Sequence, residues 1–287
     1  MDYSEYTSRG TRTSEYYVTV SDGVSLKIID FAPKGDNPRT PVVLFVAGWI
    51  SLITGWKGVM QKLTPAFRTL YLETREKITS RLPERRRVGF STLRMAQDIA
   101  EIVEKAIPRN RPFVLAGSSL GATAILEHGM LEGKKPLCTI LISPIPEFRF
   151  PPVLGSILPA LHPSLYLAVK PLVKWYLKNF RLDKEREPEQ VKKYENTLDA
   201  ADPYKLKPSA IAVHNYNIWD KLPGITTPSL IIGASSDTLH GTDYLSRMRS
   251  LMPHACYREL ASNKETHSEV CGELIVEFLK KKDYLEI

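Results

Sequence analysis

The chain has 287 residues, 43% of them apolar and 25% charged, with a formal net charge of +7. That balance belongs to an ordinary globular protein and excludes a disordered, collagenous or disulfide-built chain. The positive charge could favour anionic partners, but acidic and basic residues are mixed along most of the sequence. The densest basic run, Arg81 to Arg87, is broken by Glu84 and comes with no nucleic-acid motif, so no nucleic-acid partner is expected.

In chain order, residues 1–13 read as a polar N-terminal arm. Two β-type runs, Tyr16–Val20 and Val24–Phe31, flank Ser21-Asp22-Gly23, and an Asp-Gly between such runs predicts a hairpin. Pro41 to Val46 is a continuous apolar run of the kind a buried parallel strand needs, and it stops at Ala47-Gly48-Trp49. A helix over about Trp56–Leu63 and a strand over Arg68–Leu72 follow. Thr92–Ile107 carries helical spacing at Met95, Ile99, Ile102, Val103 and Ile107, with Ser91 or Thr92 placed to cap it. Pro112–Ala116 predicts a strand and Leu120–Leu131 a helix; Leu137–Ile142 and Ser229–Ile232 predict two more buried strands. A late strand near Tyr257–Leu260 precedes a closing helix, Glu269 to Lys281. Strands alternating with helices imply an α/β fold, a mostly parallel central sheet flanked by helices.

One interval breaks the alternation. About eighty residues separate the strand ending near Ser143 from the one starting near Pro228, and the first half is rich in proline. A loop that long is expected to carry its own structure. The reading is a core of residues 14–146 and 221–287, with residues 147–220 inserted as a helical cap. Within the cap, Pro171 to Phe180 predicts a helix with Pro171 in its first turn. Lys170, Lys174 and Lys178 form one stripe on it, and Leu172, Trp175, Tyr176 and Phe180 lie around that stripe. The simplest expectation is a lid packed on the core with its lysines in solvent. Alternatives are an apolar face lining an acyl pocket, or a surface touching membrane lipid.

The chemistry concentrates at Gly117-Ser118-Ser119-Leu120-Gly121. Gly-x-Ser-x-Gly between a buried strand and a helix is a nucleophile elbow. The elbow strains its serine, and bulk at Gly117 or Gly121 would collide with neighbouring backbone. The turn lifts the Ser119 hydroxyl above the sheet and aims a helix N-terminus at a developing oxyanion. A serine hydroxyl needs a base, and the base an acid to orient it, expected in the chain order Ser, Asp or Glu, His. Asp237 follows the apolar run Leu230 to Gly233. His267 precedes the closing helix. Both fall on loops at the same sheet edge as Ser119. Glu147 and Asp243 compete for the acid; among the other histidines His128, His162, His214, His240 and His254 fit the base position less well. Two backbone N–H groups, those of Leu120 and Trp49, are the candidate oxyanion donors, with Gly48 permitting the sharp bend before Trp49.

Together the Ala47-Gly48-Trp49 strand end, the Gly117–Gly121 elbow, Asp237 and His267 resemble the α/β-hydrolase superfamily, over nearly the whole chain. That resemblance implies a serine hydrolase acting on a carboxylic ester or thioester, a small molecule whose acyl chain could be apolar. An acyltransferase using the same triad, or a non-catalytic binding protein on the same fold, are the alternatives. Departures exist: Ala47 replaces a common His, Glu73-Thr74-Arg75-Glu76-Lys77 replaces a Gly-rich turn, and Thr266 stands where a glycine often precedes the catalytic His. No metal-ligand spacing or phosphate-cradling loop is visible, so no cofactor and no metal are expected. Cys138, Cys256 and Cys271 form no CxxC pair. The N-terminus has no apolar signal-peptide core, and no stretch has the length and apolarity of a membrane span, so a cytoplasmic protein without a transmembrane segment is expected.

Overall fold

A computed structural model describes residues 2–84, 87–148, 152–181, 188–235 and 242–281; the side chains of residues 152–154, 181, 242 and 243 are outside the description. Eight strands form one sheet: β1 (Arg12–Thr19), β2 (Ser25–Ala32), β3 (Val42–Val46), β4 (Thr69–Glu73), β5 (Phe113–Ser118), β6 (Thr139–Ile142), β7 (Ser229–Ala234) and β8 (Ala255–Leu260). Their spatial order is β1-β2-β4-β3-β5-β6-β7-β8. Only the β1–β2 and β2–β4 pairs are antiparallel, so β2 alone runs against its neighbours.

The sequence pattern explains this sheet. Every residue of β3, β4, β5, β6 and β7 is buried, as strands covered by helices on both faces must be. The hairpin turns where Gly23 adopts φ +89°, and its N–H donates to the Val20 carbonyl at 2.9 Å. On the faces lie α1 (Lys57–Leu63), α2 (Thr92–Ala106), α3 (Leu120–Met130), α8 (Thr242–Leu251) and α9 (Glu269–Lys281). The Ser91 hydroxyl caps α2 by accepting from the Arg94 N–H, and Met95, Ile99, Ile102 and Val103 turn into the core. α8, which turns Leu245 and Met248 into the core, was not foreseen.

The chain leaves β3 to build β4 on one side, then crosses to build β5 on the other. The loops after β3 and β5 therefore diverge, leaving a crevice at the carboxyl ends of the strands, where open α/β sheets take their ligands.

Between β6 and β7 the described residues are helical, apart from one bridge pairing Glu147 with Asn217. The elements are α4 (Pro152–Ile157), α5 (Leu165–Tyr176) with a π-turn at Leu177–Arg181, α6 (Pro188–Ala200) and α7 (Pro203–Val213). Two expectations need correcting. First, α5 starts at Leu165 and holds Pro171 inside it rather than in its first turn. Second, its lysine stripe is only partly solvated. Lys170 and Lys174 are half-buried and pair with the half-exposed Asp199 carboxylate on α6, at 3.0 and 2.6 Å, while Lys178 stays exposed and Leu172 and Trp175 face outward. The N-terminal arm is also less loose than its composition suggested, because Tyr3 and Tyr6 bury their rings, Tyr3 against Phe31.

Candidate active site

Ser119 joins β5 to α3 at φ 48°, ψ −121°, a conformation that non-glycine residues rarely adopt. It is over-determined by its surroundings. The Ser119 N–H donates to the Ile142 carbonyl at 2.9 Å, and the Ser119 carbonyl accepts from the Thr123 N–H at 3.0 Å. The flanking glycines let the turn press against the end of β3. A Cβ on Gly121 would come within 2.1 Å of the Val46 carbonyl oxygen, and one on Gly117 within 2.8 Å of the same atom. Ser118 and Leu120 are buried, whereas Ser119 stays partly exposed.

Across from it, the Gly48 N–H donates to the Ser118 hydroxyl at 3.0 Å, and the Ser51 N–H closes a turn onto the Gly48 carbonyl. That turn carries Trp49 and forces Ile50 to φ 49°. It is fastened at two further points. The Ile50 N–H donates to the buried Glu76 carboxylate at 3.3 Å, and the Trp49 indole N–H donates to the Ser209 hydroxyl on α7 at 2.8 Å.

His267 lies in a 3₁₀ turn, Glu265–His267, between β8 and α9. Its ring packs on Trp56 with centroids 4.1 Å apart. Its Nδ1 sits 2.9 Å from the Asn263 carbonyl oxygen, which can only accept. Nδ1 therefore carries the proton in that bond, so that in the neutral ring the lone pair is on Nε2, the form a general base requires.

Gly48, Trp49, Trp56, Ser118, Ser119 and His267 line one cavity of about 200 Å³. Ile142 and Ser143 close its floor beside the elbow, and Lys193, Tyr194 and Thr197 of α6 close it from above. Sequence reading had named Gly48, Trp49, Ser119 and His267, with Ser118 in the elbow, but not the rest. Trp56 had been read only as a helix residue, and nothing marks the α6 residues in the sequence, since they arrive by packing. Ser143 is a third left-handed non-glycine residue, φ 43°. Asp237 and His240 lie outside the described residues, and so does the side chain of Asp243. Glu147, the competing acid, is buried in the bridge to Asn217 and is not among the cavity's lining residues. His128 is buried on α3, and His254 precedes β8, away from this edge. No cluster of His, Cys, Asp and Glu able to hold a metal is found among the described residues.

This sheet, with a strained serine at the end of its fifth strand, is the α/β-hydrolase architecture. The sequence matches the profile of the alpha/beta hydrolase family over residues 43–268, and the chain belongs to that family. Among solved structures it is similar to an esterase from Thermogutta terrifontis, with 18% identity, 94% of this chain and 98% of that one covered, and a TM-score of 0.75. A hydrolase from Pseudomonas aeruginosa PA01 matches at 18% identity over 93% and 98% of the two chains, with a TM-score of 0.74. The enol-lactonase from Burkholderia xenovorans LB400 matches at 18% identity over 92% and 100%, with a TM-score of 0.73. A comparison with curated protein sequences finds no match.

Proposed function

We propose that this hydrolase cleaves small carboxylic esters or thioesters through an acyl-enzyme on Ser119. The observation that carries the reading is a strained, partly exposed serine sharing one cavity with a histidine whose Nδ1 faces the Asn263 carbonyl oxygen. Ser119 Oγ attacks the carbonyl carbon while His267 Nε2 takes its proton. The oxyanion that forms is held by the N–H groups of Leu120 and Trp49, with the N-terminus of α3 pointing at it. The C–O or C–S bond then breaks, and the leaving alcohol or thiol takes the proton from His267. Water, deprotonated in turn by His267, releases the acid and restores Ser119. Asp237 is assigned to orient the imidazole, from its position after β7. Residues 147–220 act as a cap whose α6 limits the acyl group. The cavity is smaller than the roughly 300–1,000 Å³ typical of sites for drug-sized ligands, which favours short acyl groups. Two of the three cysteines are buried free thiols, in keeping with a cytoplasmic location.

A fluorophosphonate should label Ser119, mapped to the peptide around Leu115–Ala122, and Ser119→Ala should abolish labelling. With p-nitrophenyl esters of graded chain length, His267→Ala should lower turnover on the order of 10⁴-fold. Comparing Asp237→Asn with Glu147→Gln in that assay identifies the acid. Labelling of Ser118 or a cysteine, with Ser119 untouched, would sink the proposal.

A further inference from the structure

The outward face of α5 is the least protein-like surface of the molecule. Fourteen large hydrophobic residues are exposed among the described residues, and eight of them fall between Ile157 and Phe180. Leu172 is 64% exposed, Phe180 63% and Trp175 54%. The polar side of the helix is occupied elsewhere: Lys170 and Lys174 hold Asp199, and the Tyr166 hydroxyl donates to the Leu198 carbonyl at 2.7 Å. Two of the three lysines of the helix are thus engaged with α6, while its large apolar side chains stand in solvent, the reverse of what burial in water rewards.

We propose that this face docks on the surface of an anionic phospholipid bilayer. Three observations select that occupant. The outward side ends in an aromatic cluster, with the Phe180 ring 5.4 Å from Trp175 and 5.5 Å from Tyr176, side-chain types that settle at the headgroup level of membranes. Lys178 is exposed beside that cluster on a chain of net charge +7, which complements anionic headgroups. The face is also small. A helix of this length is about 18 Å long and about 10 Å wide, so its outward side offers on the order of 200 Å². A stable dimer needs roughly 800 Å² per partner. α5 is too short to span a bilayer, and no described helix is long and apolar enough to do so. It therefore lies in the interface plane, with the aromatic cluster in the headgroups and Lys178 above. This reading does not depend on the hydrolase proposal, because its readout is binding.

The full chain is mixed with vesicles of phosphatidylcholine alone, or of phosphatidylcholine with phosphatidylglycerol, and sedimented. The mixed vesicles should retain it about tenfold more strongly, an advantage that salt removes. Trp175 emission should shift to the blue; Trp56 and Trp219 are already buried, and the half-buried Trp49, bonded to Ser209, is not on this face. A Leu172→Asp/Trp175→Asp variant should lose retention on mixed vesicles while keeping its circular dichroism spectrum and its Ser119 labelling. Lys178→Glu, which leaves the apolar face intact, should weaken binding only to the anionic vesicles. Failure of the unaltered chain to bind either vesicle, or undiminished binding by the double variant, overturns the proposal. So does a dimer in sedimentation equilibrium that Leu172→Asp dissolves, because a second copy would then cover the face.

Discussion

Ile50 is a β-branched residue held at φ 49°, and such a conformation persists only where neighbours impose it. Glu76 is that neighbour. Its Oε1 accepts from the Ile50 N–H at 3.3 Å and from the Thr74 hydroxyl at 2.7 Å, and the residue is buried. Trp49, whose N–H is the proposed oxyanion donor, directly precedes Ile50, so on that proposal Glu76 would position the donor without touching substrate. Glu76→Ala should lower kcat about tenfold or more with KM nearly unchanged, since a misplaced donor is felt chiefly in the transition state. Glu76→Gln keeps an acceptor and should recover most of the loss. Equal changes in kcat and KM, or no rescue by Gln, would leave Glu76 a merely structural residue. At this scale the sequence was partly legible. Ser119 and His267 were readable because an elbow and a chain order constrain them. Glu76 was visible only as a charge where related chains often carry glycine, and its partner, Ile50, is a backbone group with no signature.

The elements around β4 are joined by ion pairs rather than apolar packing alone. Arg75, fully buried, donates two bonds of 2.6 Å to Asp98 on α2 and one of 2.9 Å to Asp22 in the hairpin turn. Arg94 meets Asp98 from the other side at 2.7 Å. Burial pushes the Asp98 carboxyl up, against the pull of Arg75 and Arg94. Removing Arg75 leaves Asp98 buried with one cation instead of two, so Arg75→Met should lower unfolding free energy by about 3 kcal/mol, read from urea denaturation. Adding Asp98→Leu should return part of that loss; a double variant worse than the single one would contradict this account. Core strands were legible because a run such as Val42–Val46 has only one comfortable place, under helices on both sides. The facing of α5 was not. Its lysine stripe has the period of a solvated face, and only Asp199, on another helix, draws Lys170 and Lys174 into ion pairs.

For the molecule as a whole, His128 is one contributor to the pH dependence of stability between pH 7 and pH 4. His128 is buried on α3, its Nδ1 has no hydrogen-bond partner, and burial lowers its pKa to about 4. The unfolded chain takes up that proton near pH 6.5, while the folded chain refuses it until about pH 4. The folded state therefore keeps its full advantage above pH 6.5 and loses about 3 kcal/mol as pH falls through that window. Denaturation midpoints of the unaltered chain and His128→Asn, followed from pH 7 to pH 4, should diverge in slope by that amount; parallel curves would exclude His128 as the cause. The last consequence lies in how α7 is attached. Lys205 donates to the carbonyls of Lys77, Ile78 and Ser80, and Ser209 takes the Trp49 indole N–H. One helix thus grips both the segment after β4 and the turn after β3. Displacing α7 would break the Trp49 bond and leave that turn held by Glu76 and by the Gly48–Ser118 bond. On the proposed mechanism, any displacement of α7 would therefore also unsettle the Trp49 donor, tying the place of that helix to the readiness of the oxyanion site.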